Sequence, residues 1–158
     1  MSSKPYHYRE SGLDYVYLQN GFTYHETPYG KGVSIFAADQ LHEAIAREIV
    51  LSPRPLRGQE ARFLRSLLDI SQADLARTMG TTRISITRWE KNRDGELPGT
   101  ADTALRLIYT GNGDKTSLVK RTMDMLRERD DAAHGRKAPK KKITLKTRGG
   151  VWDTARAA

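Results

Sequence analysis

The stretch that most constrains this chain is Ser71-Gln-Ala-Asp-Leu-Ala-Arg-Thr-Met-Gly-Thr-Thr-Arg-Ile-Ser-Ile-Thr-Arg-Trp-Glu90. It holds two helix starts and one helix stop in close succession. Ser71 followed three residues on by Asp74 is a capping-box pattern, in which a hydroxyl satisfies one of the unpaired N–H groups of a first turn. Leu75, Ala76 and Met79 then recur at helical spacing, and Gly80 can adopt the left-handed conformation that closes a helix. Thr82 caps a second helix whose Ile86 and Trp89 lie four and seven positions on. Two helices this short are not stable alone. Each has to bury its apolar stripe against neighbours.

Those neighbours are legible on both sides. Phe63, Leu64, Leu67 and Leu68 put a stripe on a preceding helix, and Ala101, Ala104, Leu105 and Ile108 do so on a following one, after the break at Pro98-Gly99. Residues 58–110 therefore read as a four-helix domain ending at Gly111-Asn112-Gly113. A further amphipathic helix is predicted over residues 115–130, within a 111–133 segment, from Leu118, Val119, Met123 and Leu126. Upstream, residues 1–57 read as a small β-plus-helix module, 1–51, and a short stiff connector, 52–57, which opens with Ser52-Pro53-Arg54-Pro55. Residues 13–19 and 22–25 are rich in β-formers and flank Asn20-Gly21, a strong hairpin signal because both turn residues take positive φ. Tyr29-Gly30-Lys31-Gly32 predicts a second turn and Val33–Phe36 a third strand. Leu41, Ala44, Ile45 and Ile49 predict a helix over 39–51 to cover them.

The run from Ser71 to Glu90 resembles the helix-turn-helix of the phage repressor and Cro family, also called XRE. Ser-Gln opening the first of the two helices, Leu-Ala within it, Gly-Thr-Thr at the turn, and Ile86, Trp89 and Glu90 in the second carry the likeness, which extends over 58–110. The implied fold is mostly α: a lambda-repressor-like helix-turn-helix bundle, here preceded by a small β-hairpin-plus-helix module. In that family the second helix enters the major groove, which is wide enough for one α-helix and displays distinguishable base edges. With Ile86 and Trp89 turned to the core, the opposite face presents Arg83, Ile84, Ser85, Thr87 and Arg88. Arginine can grip guanine bidentately, and Ile84 can touch a thymine methyl. Gln72, at the start of the first helix, is placed to hold a phosphate. By similarity, Thr82, Lys91 and Asn92 would reach the DNA backbone. Arg65 and Glu90 match an ion pair that joins helices in the family. The bland alternative is a helical hairpin that meets no DNA.

The formal net charge is +8. Segments 1–57, 58–110 and 111–133 are each within one charge of neutral, whereas His134–Ala158 carries eight Lys/Arg against one Asp. With Pro139 and Gly149-Gly150 and no periodicity before Trp152, residues 134–158 read as a basic disordered tail adding nonspecific phosphate contacts. Trp152, beside Val151, is the residue that could instead anchor the tail to a folded surface. Absence of cysteine excludes disulfides, thiolate metal sites and cysteine nucleophiles. His7, His25, His42 and His134 lack metal-ligand spacing. His25-Glu26 begins a metalloprotease-like string, but Tyr29 stands where its second His is needed. Gly111–Thr116 lacks both the spacing and the preceding strand of a phosphate loop. The N-terminal tyrosines Tyr6, Tyr8, Tyr15, Tyr17, Tyr24 and Tyr29 suggest a half-buried sheet face or a protein-binding surface.

The reading that follows is a sequence-specific double-stranded DNA-binding transcriptional regulator, a homodimeric repressor, with no catalytic role, metal or cofactor. The alternative is an antitoxin that grips a toxin protein through its N-terminal module and autoregulates its operon. With no signal peptide and no membrane-spanning run, a cytoplasmic, nucleoid-associated location is expected.

Overall fold

The computed structural model describes residues 4–113, 115–129 and 142–155. They form two compact units: an N-terminal one through Ile45, completed by the C-terminal strands, and a helical one from Ala46 through the last helix. Helix α1 (Ala38–Leu51) contributes its first eight residues to the former and the rest to the latter.

In the first unit, β1 (Tyr6–His7), β2 (Val16–Leu18), β5 (Ile143–Arg148) and β6 (Val151–Thr154) make a four-stranded sheet in that order. β2 and β5 pair in parallel, with Leu18 opposite Leu145; the other pairs are antiparallel. Two further strands, β3 (Phe22–Thr27) and β4 (Gly30–Ile35), form a separate hairpin. The core under the sheet collects Leu13, Val16, Leu18, Leu41, Ile45, Leu145 and Trp152, all at most 4% exposed.

This corrects two expectations. Asn20-Gly21 is not a hairpin turn, because β2 does not pair with β3. The Asn20 amide instead bridges to β5, donating to Thr147 O (3.1 Å) and accepting from Thr147 N–H (2.7 Å). Gly21, at φ +79°, leaves room for an indole: a Cβ there would lie 2.4 Å from the Trp152 ring. The hairpin lies one strand later, around Thr27–Gly30, where the Thr27 hydroxyl donates to Gly30 O. The second correction is the tail. Residues 142–155 are not disordered: they build β5 and β6, closed by Gly149 and Gly150, both at positive φ. Ile143, Leu145 and Trp152 alternate with polar residues, enough apolar surface to seat one face on β2, and Trp152 Nε1–H donates to Phe36 O at 2.8 Å. The anchoring role considered for Trp152 is the one it has. The expectation of disorder for residues 134–141 and 156–158 falls outside the described residues.

The helical unit follows the sequence pattern closely: α2 (Gly58–Leu68), α3 (Gln72–Met79), α4 (Arg83–Lys91), α5 (Gly99–Thr110) and α6 (Thr116–Glu128). Leu56, Ala61, Phe63, Leu64, Leu75, Ala76, Ile86, Leu97, Ala101, Leu105 and Tyr109 are its buried apolar residues, joined by Ala46, Ile49 and Val50 of α1. On α5 the buried stripe is rotated from the one expected. Asp102, Arg106 and Thr110 are buried beside Ala101, Leu105 and Tyr109, while Ala104 and Ile108 are half-buried. The cause is Arg106, whose guanidinium is fully enclosed and donates to carbonyls at the end of α1 and in the 52–54 connector.

Candidate nucleic-acid interface

The α3–α4 pair is shaped by its caps. Ser71 Oγ accepts from Asp74 N–H at 3.0 Å, and Thr82 Oγ accepts from Ser85 N–H at 3.2 Å. Between them Gly80 sits at φ +73°, and Thr81 N–H returns to Ala76 O at 2.9 Å, so α3 ends sharply and three residues suffice to start α4. The Arg77 guanidinium beside Asp74, helped by the Ser71 hydroxyl, holds the Asp74 carboxyl below the usual carboxylate range. That keeps a negative charge in the first turn of α3, where the helix dipole favours it.

One network locks α4 to α2 and α3. Glu90, 8% exposed, accepts from Arg65 Nε–H (2.6 Å) and Nη2–H (3.3 Å). The Arg65 fork also reaches Ile70 O at 3.0 Å. Glu90 takes a further hydrogen bond from the Gln72 amide. The Gln72 carbonyl in turn accepts from the Thr87 hydroxyl at 2.8 Å. The predicted Arg65–Glu90 pair is thus present, and it is the centre of a four-residue cluster whose other two members had been assigned elsewhere. Gln72 was expected to face a phosphate. Instead its amide NH₂ and carbonyl are engaged by Glu90 and Thr87, which makes it a joint between the two helices. Nothing in local sequence shows this, since the partners lie 15 and 18 residues on.

The remaining predicted residues divide by exposure. Arg83, Ile84, Arg88, Lys91 and Asn92 are exposed; Ser85 and Thr87 are half-buried. Among the described residues Arg83, Arg88 and Lys91 have no ion-pair partner, and Ile84, one helical turn from Arg88, is 70% exposed. An apolar side chain between unpaired cations gains nothing within the fold, and its surroundings suit an anionic partner with apolar patches. Thr82 is exposed but its hydroxyl is engaged by Ser85, whose own hydroxyl lies 3.0 Å away. Asn92 ends α4, and its amide lies against Gly95 in the loop beyond.

Trp89, expected in the core, is half-buried, beside an apolar space lined also by Ala61, Leu75, Met79, Leu97 and Leu105. Its backbone and that of Asn92 meet α2 closely. A Cβ on Gly58 would lie 1.9 Å from Trp89 O and 2.4 Å from Asn92 O. The N–H groups at the start of α2 donate to this loop, Gly58 to Gly95 O and Gln59 to Arg93 O, both at 3.1 Å. Gly58 is the positioning residue that sequence reading missed.

No group of three or more His, Asp or Glu that could hold a metal occurs among the described residues. Among the described residues no helix is long and apolar enough to cross a membrane. Comparison with family models, curated proteins and solved structures yields no match to this chain.

Proposed function

We propose that this chain is a sequence-specific double-stranded DNA-binding regulator in which α3 and α4 act as a helix-turn-helix and α4 is the reading helix. The observation that carries the reading is the outward face of α4: Arg83, Arg88 and Lys91 without ion-pair partners among the described residues, and Ile84 exposed among them, on a helix whose opposite side is fixed by Ile86 and Glu90. In this reading Arg83 and Arg88 grip base edges, Ile84 meets a thymine methyl, and Lys91 holds a phosphate. Thr87 reports on α3 through Gln72, so the Glu90 network sets the angle at which α4 enters the groove. One such domain covers a half-site, and a homodimer on a twofold operator, acting as a repressor, is the arrangement that supplies a whole one.

The experiment is selection of preferred sites from a random duplex library, followed by binding assays with variants. Arg83→Ala or Arg88→Ala should weaken binding to the selected site by about 1–3 kcal/mol and relax preference at one base position. Equal losses on selected and random duplexes would refute base reading. Footprints with half-site centres about 10–10.5 bp apart, or a multiple of that, are expected of the dimer.

A second reading, an antitoxin that holds a toxin protein through the N-terminal unit, is favoured by one feature. The β3–β4 hairpin exposes Tyr24 (58%) and Tyr29 (100%), aromatic area typical of protein-binding surfaces. Recovery of a stoichiometric small protein from native cells, lost on Tyr24→Ser and Tyr29→Ser substitution, would support it.

A further inference from the structure

The four-stranded sheet has two unlike faces. One carries Val16, Leu18, Leu145 and Trp152 into the core. The register fixes what lies on the other. Side chains directly opposite one another in a ladder share a face and alternate along each strand. His7 is opposite Tyr17, Tyr17 opposite Thr144, Lys146 opposite Asp153, and Arg148 opposite Val151. Lys142, two residues before Thr144, belongs to the same face, and its Nζ lies 5.1 Å from the Tyr17 ring centroid. The His7 ring stacks on Tyr17 at 4.5 Å, donates from Nε2 to Asp14 O at 2.9 Å, and accepts from Arg9 Nε–H at 3.2 Å.

Lys142, Lys146, Arg148 and Arg9 are all exposed, and none has an ion-pair partner among the described residues. Asp153 is the acid on the face, and its Oδ1 accepts from Thr154 N–H. In the sequence Arg136, Lys137, Lys140 and Lys141 lead directly into this strand. A solvated surface would interleave acids with these bases, as segments 1–57 and 58–110 do. Lys146 and Arg148 sit on β5 and Lys142 directly precedes it, so little backbone freedom is lost when they meet a ligand. The hairpin tip is Gly149-Gly150, where a Cβ would touch nothing within 4 Å, so a partner can approach the backbone.

We propose that this outer sheet face, with Lys142, Lys146 and Arg148 at its centre and Arg9 at its edge, is a sequence-independent docking surface for the phosphodiester backbone of duplex DNA. It deepens the function proposed above by giving the protein a second, folded phosphate contact outside α4. It rests on that reading for the identity of the polymer and not for the residues.

The test uses the full chain and the triple variant Lys142→Gln, Lys146→Gln, Arg148→Gln, with unchanged circular dichroism as the folding control. Affinity for a labelled random duplex and for a selected site is measured against salt between about 50 and 200 mM. Each lost phosphate contact should flatten the log–log salt slope by about 0.9, so a decrease of roughly 2–3 is expected on both duplexes, with the preferred sequence unchanged. An unchanged slope in the triple variant, while Arg83→Ala still relaxes preference at one base position, overturns this inference and leaves the α4 reading standing. A flattened slope in a protein with no site preference supports this inference and removes the other. Failure of the wild type to bind any duplex overturns both. Binding to anionic lipid vesicles in place of duplex, lost in the same variant, also overturns it.

Discussion

Arg106→Met is the substitution that tests the architecture of the helical unit most directly. The Arg106 side chain is fully buried, and its guanidinium answers several groups at once. Nη1–H donates to Ile49 O (3.3 Å), Val50 O (2.9 Å) and Ser52 O (2.7 Å); Nη2–H donates to Arg54 O (2.5 Å) and Asp102 Oδ1 (3.2 Å); Nε–H faces both Asp102 oxygens. Two of these carbonyls belong to the last turn of α1, where the helix supplies no donor of its own. The 52–54 connector, with Pro53 and Pro55, supplies few N–H groups, so a side chain has to do so.

Methionine fills similar space but removes the charge and every donor. Asp102, 1% exposed, then keeps Arg129 Nη1–H at 2.9 Å and Leu56 N–H at 2.6 Å, but loses the cation that meets both its oxygens. Removing one partner of a buried pair costs about 3–5 kcal/mol, because the other charge stays buried. Each carbonyl left without another donor adds about 1–3 kcal/mol, although Ile49 O keeps Ser52 N–H and water entering the gap offsets part of this. A loss near 4 kcal/mol is a large part of the whole stability of a domain, about 5–15 kcal/mol. At a urea m-value of about 2 kcal/mol/M the unfolding midpoint should fall by roughly 2 M, read from helical circular dichroism. Adding Asp102→Leu should not recover the loss, since it strands the Arg129 guanidinium and the Leu56 N–H in turn. Arg129→Met should cost less, about 1.5–3 kcal/mol, as Asp102 then retains Arg106. A single-variant midpoint within about 0.5 M of wild type would refute the reasoning.

Other substitutions test the remaining joints. Gly58→Ala should destabilise by about 3 kcal/mol, because its Cβ would meet the Trp89 and Asn92 carbonyls and push α2 off its hydrogen bonds to the 93–95 loop; an unchanged Tm would contradict it. Trp89→Ala, at a half-buried site, should cost roughly 3 kcal/mol, the lower end of the range for this change, and loss of DNA binding with an unchanged unfolding midpoint would show the helix face to be assigned wrongly. His42 stacks on Tyr8 and shares a 2.8 Å hydrogen bond with it; burial, partly opposed by Asp39, pushes its pKa below 6.5. The unfolded chain therefore takes up this proton first, so its contribution is intact above about pH 6.5 and is lost as pH falls below that value. His42→Gln should flatten the change in urea midpoint between about pH 7.5 and 5.5; an identical slope in wild type and variant would exclude the linkage.

The features legible in the sequence are those whose causes lie within one turn of helix. Ser71, Gly80 and Thr82 act on backbone groups three or four residues away, so α3, the turn and α4 fall where the pattern puts them. The exposed face of α4 follows from the same periodicity. What was illegible depends on partners far along the chain. Asn20-Gly21 has the chemistry of a tight turn, yet Asn20 meets Thr147, 127 residues on, and no local signal weighs that pairing against a hairpin. Residues 142–155 carry too little apolar surface to fold by themselves, and their order comes from the free edge of β2 and the slot beside Gly21.

Arg106 shows why burial of a charge is the hardest feature to read. An arginine in an otherwise apolar stripe looks like a solvated interruption, and the hydropathy pattern turns α5 so as to expose it. The backbone decides otherwise. Ser52-Pro53-Arg54-Pro55 ends α1 without a glycine cap and leaves its carbonyls, and those of the connector, with few N–H donors nearby. A cation with five N–H groups in a planar fork satisfies several at once, and Asp102, one turn earlier on α5, neutralises it. The prolines that mark the connector in the sequence are therefore also the reason that a charged residue, 53 positions after Pro53, is drawn into the core. The signal was present, but as a deficit of donors, and it becomes visible when every backbone carbonyl of a proline-rich break is asked where its hydrogen bond goes.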